Sequence, residues 1–300
     1  MGIILPSRKS ITNFYINGDV DRNISEVELF NYNPSISTNP QAVNYNDKVY
    51  FFSDTYMYEF NGKTFTRCAN LPIGWNVSYA DQTTSRRARF IACNKGIAMV
   101  GCYVIPTTAH LWNGSTWSSL PSLKVSQSGN CGVFFNGQLY ALGSDDEGYA
   151  TRQYTYDTTS GTEWNWSATL PFKARYSDAV VYNNEIHIFG GEVSTYAEPN
   201  TNHYVYDGST WSQSTAIPET FSTSYGRAIV YNNKIYLLGC AGGKKTWIWD
   251  NGSWVAGNDL LTTMSGDVAF LFHDEIFRAG GGVGNKFRSY EHQLVGYKMT

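Results

Sequence analysis

Residues 178–218 read DAVVYNNEIHIFGGEVSTYAEPNTNHYVYDGSTWSQSTAIP, which resolves into four short strands. The first, 179–182, is apolar and β-branched. Asn183-Asn184 turns the chain, and Glu185–Phe189 returns as a second strand closed by Gly190-Gly191. A polar loop leads to a third strand at 203–207, a turn at Gly208, and a strand carrying Trp211 ahead of Ile217-Pro218. Asn, Asp and Gly punctuate such short strands because they accept the positive φ of tight hairpin turns.

The rest of the chain repeats this unit. First strands start near 42, 88, 131, 179, 228 and 268, as AVNY, ARFIAC, CGVFF, AVVY, AIVY and VAFLF. The turn recurs as Asn46-Asp47, Asn94-Lys95-Gly96, Asn136-Gly137, Asn183-Asn184, Asn232-Asn233 and His273-Asp274. A third column runs through Asn61-Gly62, Asn113-Gly114, Asp207-Gly208 and Asn251-Gly252, each followed closely by Phe65, Trp117, Trp211 or Trp254. Leu-Pro or Ile-Pro closes four units, at Leu71-Pro72, Leu120-Pro121, Leu170-Pro171 and Ile217-Pro218. A period of 40 to 49 residues with four strands per unit predicts propeller blades, each needing its neighbours to bury its faces.

The strand–turn–strand–Gly-Gly order, followed by the Tyr- or Trp-rich strand and the Trp column, resembles the kelch repeat. The glycine pair is intact at Gly190-Gly191 and Gly280-Gly281, reduced to Gly101-Cys102, Gly143-Ser144 and Gly239-Cys240, and lost at Ser53-Asp54. The resemblance implies an all-β, kelch-like β-propeller formed by residues 1–300 as a single domain. Residues 13–18 (NFYING) read as a second strand and 26–32 (EVELFNY) as a third, so 1–41 is expected to be a divergent first blade. That makes seven four-stranded blades the favoured count, with six plus an N-terminal arm as the alternative.

Net charge is −3 and charged residues are 16% of the chain, so there is no broad basic field to gather nucleic acid. No apolar run approaches membrane-spanning length, and the N-terminus lacks the pattern of a secretory signal, so synthesis in the cytoplasm is expected. Five cysteines, an odd number without close pairing, argue against a disulfide framework and for buried free thiols. His110, His187, His203, His273 and His292 lack metal-ligand spacing, so no metal and no cofactor is expected. His187 stands in a column otherwise aromatic (Tyr50, Tyr140, Tyr236, Phe277) and reads as packing.

In propellers of this resemblance, ligands bind at the ring end where the loops between second and third strands meet the segments leading into the first strands. That rule selects Arg87, Tyr103, Arg175, Tyr176, Glu192, Tyr225 and Arg227. Arg recurs ahead of the first strand at Arg87, Arg175 and Arg227, which would either tie blades together or present donors to an anionic or hydroxyl-rich ligand. Arg278 completes the set. Its column is otherwise Phe51, Met99, Ala141, Ile188 and Leu237, so its charge must pair, with Asp267, Asp274 or Glu275, or reach the channel.

No catalytic residue is expected. The galactose-oxidase type of propeller needs two His and a Tyr–Cys crosslink, for which no motif is present. The low charge, free thiols and loops rich in Asn, Ser, Thr and Tyr are similar to kelch-like modules of bacteriophage tail fibres and receptor-binding proteins. The expected function is therefore non-catalytic binding of a host surface glycan or protein receptor, within a virion tail alongside other tail proteins. The alternatives are an intracellular kelch-like scaffold for a protein partner and a carbohydrate-active kelch enzyme such as a sialate mutarotase. No nucleic acid and no membrane insertion are expected.

Overall fold

A computed structural model describes residues 41–52, 56–61, 65–72, 88–102, 105–144, 146, 148–191, 200–222, 226–260, 263–264, 267–272, 274–279 and 287–289. These residues form antiparallel sheets in a β-propeller arrangement: five of four strands and one of three. The sheets follow chain order and are called blades one to six. Their innermost strands are Gln41–Tyr45, Arg89–Cys93, Cys131–Phe135, Asp178–Tyr182, Arg227–Tyr231 and Val268–Phe272. Each inner strand lies beside those of its two neighbours, and the sixth lies beside the first.

The turn column behaves as its residue types require. Asn46-Asp47, Asn183-Asn184 and Asn232-Asn233 all hold φ between 46° and 60°, the two-residue geometry that matches the right-handed twist of the flanking strands. The fading glycine pair also has a physical explanation. Gly101, Gly143, Gly190 and Gly239 all have positive φ. A Cβ on Gly190 would stand 2.0 Å from the Phe221 carbonyl oxygen, and one on Gly143 would stand 2.4 Å from that of Ala174. The segment leading to the next inner strand therefore crosses against the first glycine of the pair. The second position tolerates Cys102, Ser144 and Cys240.

Apolar layers fill the joints between blades. Tyr50, Phe52 and Met57 of blade one meet Phe90 and Met99 of blade two, Cys131 and Leu142 of blade three meet Ile186 and Ile188 of blade four, and each other joint has its own cluster. Phe51 and Phe60 of blade one pack on Phe270 of blade six, with the Phe51 and Phe270 ring centroids 5.1 Å apart. Across the same joint Asn44 donates from Nδ2 to the Leu271 carbonyl (2.6 Å) and accepts from the Leu271 N–H (3.1 Å). The described residues thus form six sheets, with the sixth seated directly on the first. Residues 1–40, read above as a first blade or arm, lie outside the described residues.

The Trp column ties outer strands to the preceding blade. Trp211 Nε1 donates to Gln153 Oε1 (2.8 Å), and Trp254 Nε1 donates to the Thr215 carbonyl (3.0 Å). All five cysteines are free, and four are buried. Among the described residues no helix is long and apolar enough to cross a membrane.

Candidate functional site

All six inner strands start at the same end of the ring, and their pairing with the second strands gives the equivalence of positions. Gln41↔Phe52, Arg89↔Val100, Cys131↔Leu142, Asp178↔Phe189, Arg227↔Leu238 and Val268↔Ala279 occupy one register level. One end of the central channel is therefore ringed by Gln, Arg, Cys, Asp, Arg and Val. Further along, the wall is apolar, with Val43, Ile91, Val133, Val180 and Ile229 around a cavity of about 350 Å³.

Asp178 organises this end. It is 1% exposed, and its Oδ1 accepts from Arg89 Nη2 and from the Ala179 N–H (3.1 Å). Its Oδ2 accepts from the Ala228 N–H at 2.9 Å. The carboxylate thus joins blades two, four and five, and Arg89 reaches it across blade three. Gly132 stands beneath that crossing: a Cβ there would lie 2.7 Å from Ile91 Cδ1 and 3.5 Å from Arg89 Cγ. Cys131 shares the level, and burial pushes its thiol up to about 12, so it sits neutral beside the ion pair.

Arg227 adds a second guanidinium and donates from Nη1 to the Gly226 carbonyl (2.6 Å). Burial lowers its pKa from the ordinary value, with Arg89 acting in the same direction and Asp178 and Asp267 opposing. Burial also works against the charge on Arg89, but Asp178 outweighs it and the net shift is upward. Two guanidiniums around one carboxylate leave the channel end positive, and guanidinium donors suit carboxylate, phosphate or clustered hydroxyl oxygens.

The residues singled out from the sequence separate under this geometry. Arg227 is in the channel wall. Arg175 and Tyr176 sit in the segment leading to blade four, with the Arg175 guanidinium 5.1 Å from the Tyr176 ring centroid and Tyr176 at φ 50°. Arg278 is inside blade six, 2% exposed, with Nη1 3.3 Å from Oδ2 of Asp267, which is itself 1% exposed. Arg87, Tyr103, Glu192 and Tyr225 lie outside the described residues.

Asp178 and Arg227 already share a column in the sequence, each directly ahead of its first-strand alanine, but Arg89 does not join them there, and the reason is a register error. The motif alignment set Ala88 of blade two against Ala179 and Ala228. Pairing instead makes Phe90 their equivalent, opposite Met99 as Ala179 is opposite Ile188. Counting back five residues from each turn finds Arg89, Asp178 and Arg227 together, because the strand pairs run without a bulge up to the turn.

No family model matches this chain, and no curated protein matches it. Among solved structures, one titled "Structure of YjhT" aligns over 85% of this chain and 94% of that one, with a TM-score of 0.69 and 15% identity. At that identity the likeness establishes the propeller fold, and the fold alone selects no activity.

Proposed function

We propose that this chain is a kelch-type binding propeller that recognises a host surface carbohydrate as part of a bacteriophage tail fibre or receptor-binding assembly. The observation that supports recognition is the pair of guanidiniums, Arg89 and Arg227, held around Asp178 at one end of the central channel. Arg89 is fixed by its ion pair and Arg227 stands on the rigid edge of an inner strand, so donors meet the ligand with little ordering cost. The preferred ligand is an anionic or hydroxyl-rich glycan. Support for the viral setting is compositional: low charge, free thiols, and loops rich in Asn, Ser, Thr and Tyr.

Titration of the purified protein with bacterial cells and with their isolated wall polysaccharides tests this reading. Saturable binding to one glycan, weakened by Arg227→Ala, is expected. An absence of binding across the panel, with capture of a protein partner instead, would favour the scaffold reading.

A mutarotase reading is favoured by the juxtaposition of Arg and a carboxylic acid at a channel mouth, since epimerisation at an anomeric carbon needs a base and an acid in reach. Against it, the Asp178 carboxylate is already engaged by three donors. Catalysed interconversion of sugar anomers followed by NMR, abolished in Asp178→Asn, would establish that reading.

A further inference from the structure

Between blades four and five, away from the channel, the interblade layer contains two buried histidines. His187 is 3% exposed and His203 0%. The strand position of His187, opposite Val180, is held in other blades by Tyr50, Ala98, Tyr140, Tyr236 and Phe277. Tyr182, Phe189, Trp249 and Trp254 surround the two rings. Burial lowers His187 to about 4 and His203 to about 3, so both are neutral at pH 7.

Their hydrogen bonds then fix the tautomers. His203 Nδ1 faces the Thr215 carbonyl oxygen at 3.1 Å, an atom that can only accept, so Nδ1 carries the proton. His203 Nε2 is consequently an acceptor, and His187 Nδ1, 2.9 Å away, must donate to it. That leaves His187 Nε2 as a bare lone pair, buried and without a hydrogen-bond partner. His187 lines a cleft of about 420 Å³ together with Glu185, Ser214, Asn251, Val205 and Trp249, and the nitrogen itself is buried in the wall of that cleft. The nearest charged atom is Glu185 Oε2 at 3.7 Å, which is also an acceptor.

Two acceptors facing one space are matched only by a donor. A metal ion is a poor fit, because no group of three His, Cys, Asp or Glu able to hold one exists among the described residues. The cleft volume is in the range of small-molecule sites, roughly 300–1,000 Å³. Its side chains combine amide and hydroxyl groups with the apolar surfaces of Val205 and Trp249.

We propose that this cleft binds a saccharide unit, with one hydroxyl donating to His187 Nε2 and a neighbouring hydroxyl donating to the Glu185 carboxylate. The Thr215–His203–His187 chain acts as a positioning relay that holds the acceptor nitrogen toward the ligand. The site stands independently of the channel reading.

The test is long-range ¹H–¹⁵N NMR of the histidine rings, with D-galactose, D-glucose, N-acetyl-D-glucosamine and glycerol as probes and Zn²⁺ as the competing class. Both rings are expected as the Nδ1–H tautomer in the free protein. At least one sugar should move the His187 Nε2 resonance saturably, in the wild type and equally in Arg227→Ala. His187→Phe, which places the residue of blade six at this position, should fold and lose sugar binding measured by saturation-transfer NMR. Glu185→Gln, on the exposed side, should fold in any case and weaken binding at least several-fold. An Nε2–H tautomer for His187, no response to any probe, a response to Zn²⁺ alone, or unchanged sugar binding in Glu185→Gln and His187→Phe would each overturn the proposal. Loss of glycan binding in Arg227→Ala with this site intact would bear on the channel reading only.

Discussion

Replacing Asp178 by alanine should unfold the ring more easily than any exposed substitution, and the size of the effect follows from what the carboxylate holds. Asp178 takes one guanidinium and two backbone N–H groups, from blades two, four and five, in a nearly dry environment. Removing one partner of a buried pair costs about 3–5 kcal/mol, because the other charge is left behind. The Arg89 side chain keeps 21% of its exposure and regains part of its hydration, which places the expectation near the lower figure, about 3 kcal/mol. In a chain of this size each kcal/mol moves the melting temperature by about 2 °C, so a fall of roughly 6 °C is expected. Urea unfolding followed by tryptophan fluorescence measures the free energy, and a thermal scan measures the shift.

The double variant Arg89→Met/Asp178→Leu separates the pair from simple packing. Removing both members of the pair leaves neither of them stranded, while Arg227 keeps the opposing charge of Asp267, so the double variant should recover more than half of the single-variant loss, with a coupling above about 1.5 kcal/mol. A loss below about 1 kcal/mol for Asp178→Ala, or strict additivity in the cycle, would refute the view that this ion pair fastens the blades.

Arg227→Ala should reduce glycan affinity at least tenfold while moving the melting temperature by no more than about 2 °C, measured by calorimetry and a thermal scan; a large stability loss would assign the residue to blade packing. Gly190→Ala places a Cβ 2.0 Å from the Phe221 carbonyl at φ 57° and should destabilise by more than about 2 kcal/mol in urea unfolding, whereas Gly242→Ala, with nothing within 4 Å, should cost less. Asp207, held down to about 2 by the N–H groups of Thr210 and Ser209, has a folded pKa below its ordinary 3.8. Its contribution is therefore present above that ordinary value and disappears as pH falls through about 2, so the stability gap between wild type and Asp207→Ala should narrow over that window. Under native conditions only the exposed Cys68 should react with a thiol reagent, with Cys93, Cys102, Cys131 and Cys240 appearing after unfolding in a colorimetric titration.

Local chemistry was enough to define the blade. Asn-Asn and Asn-Asp pairs demand positive φ, the buried second strands show as short apolar runs, and the Trp column recurs because each blade must cover its neighbour. That Arg278 needs a partner was also legible, since a lone cation in an apolar column requires one, but the choice of Asp267 over Asp274 and Glu275 came from the structure. The closure of the ring was not legible, because it depends on which sheet the sixth blade meets. That contact, Phe270 on Phe51 and Asn44 on Leu271, joins residues more than 200 positions apart and leaves no local trace. The channel cluster escaped for a related reason. Arg227 is selected from the sequence, but Arg89 joins it and Asp178 only when a register error of two in blade two is removed and the ring brings three blades to one carboxylate. His187 was read as packing, and it is packed; only the direction of its last nitrogen, set by His203 and the Thr215 carbonyl, distinguishes it from Tyr50, Tyr140, Tyr236 and Phe277 at the same position in four of the other blades. Sequence spacing encodes which backbone torsions and faces a residue can adopt, whereas the meeting of side chains across blades depends on how the sheets close around the axis.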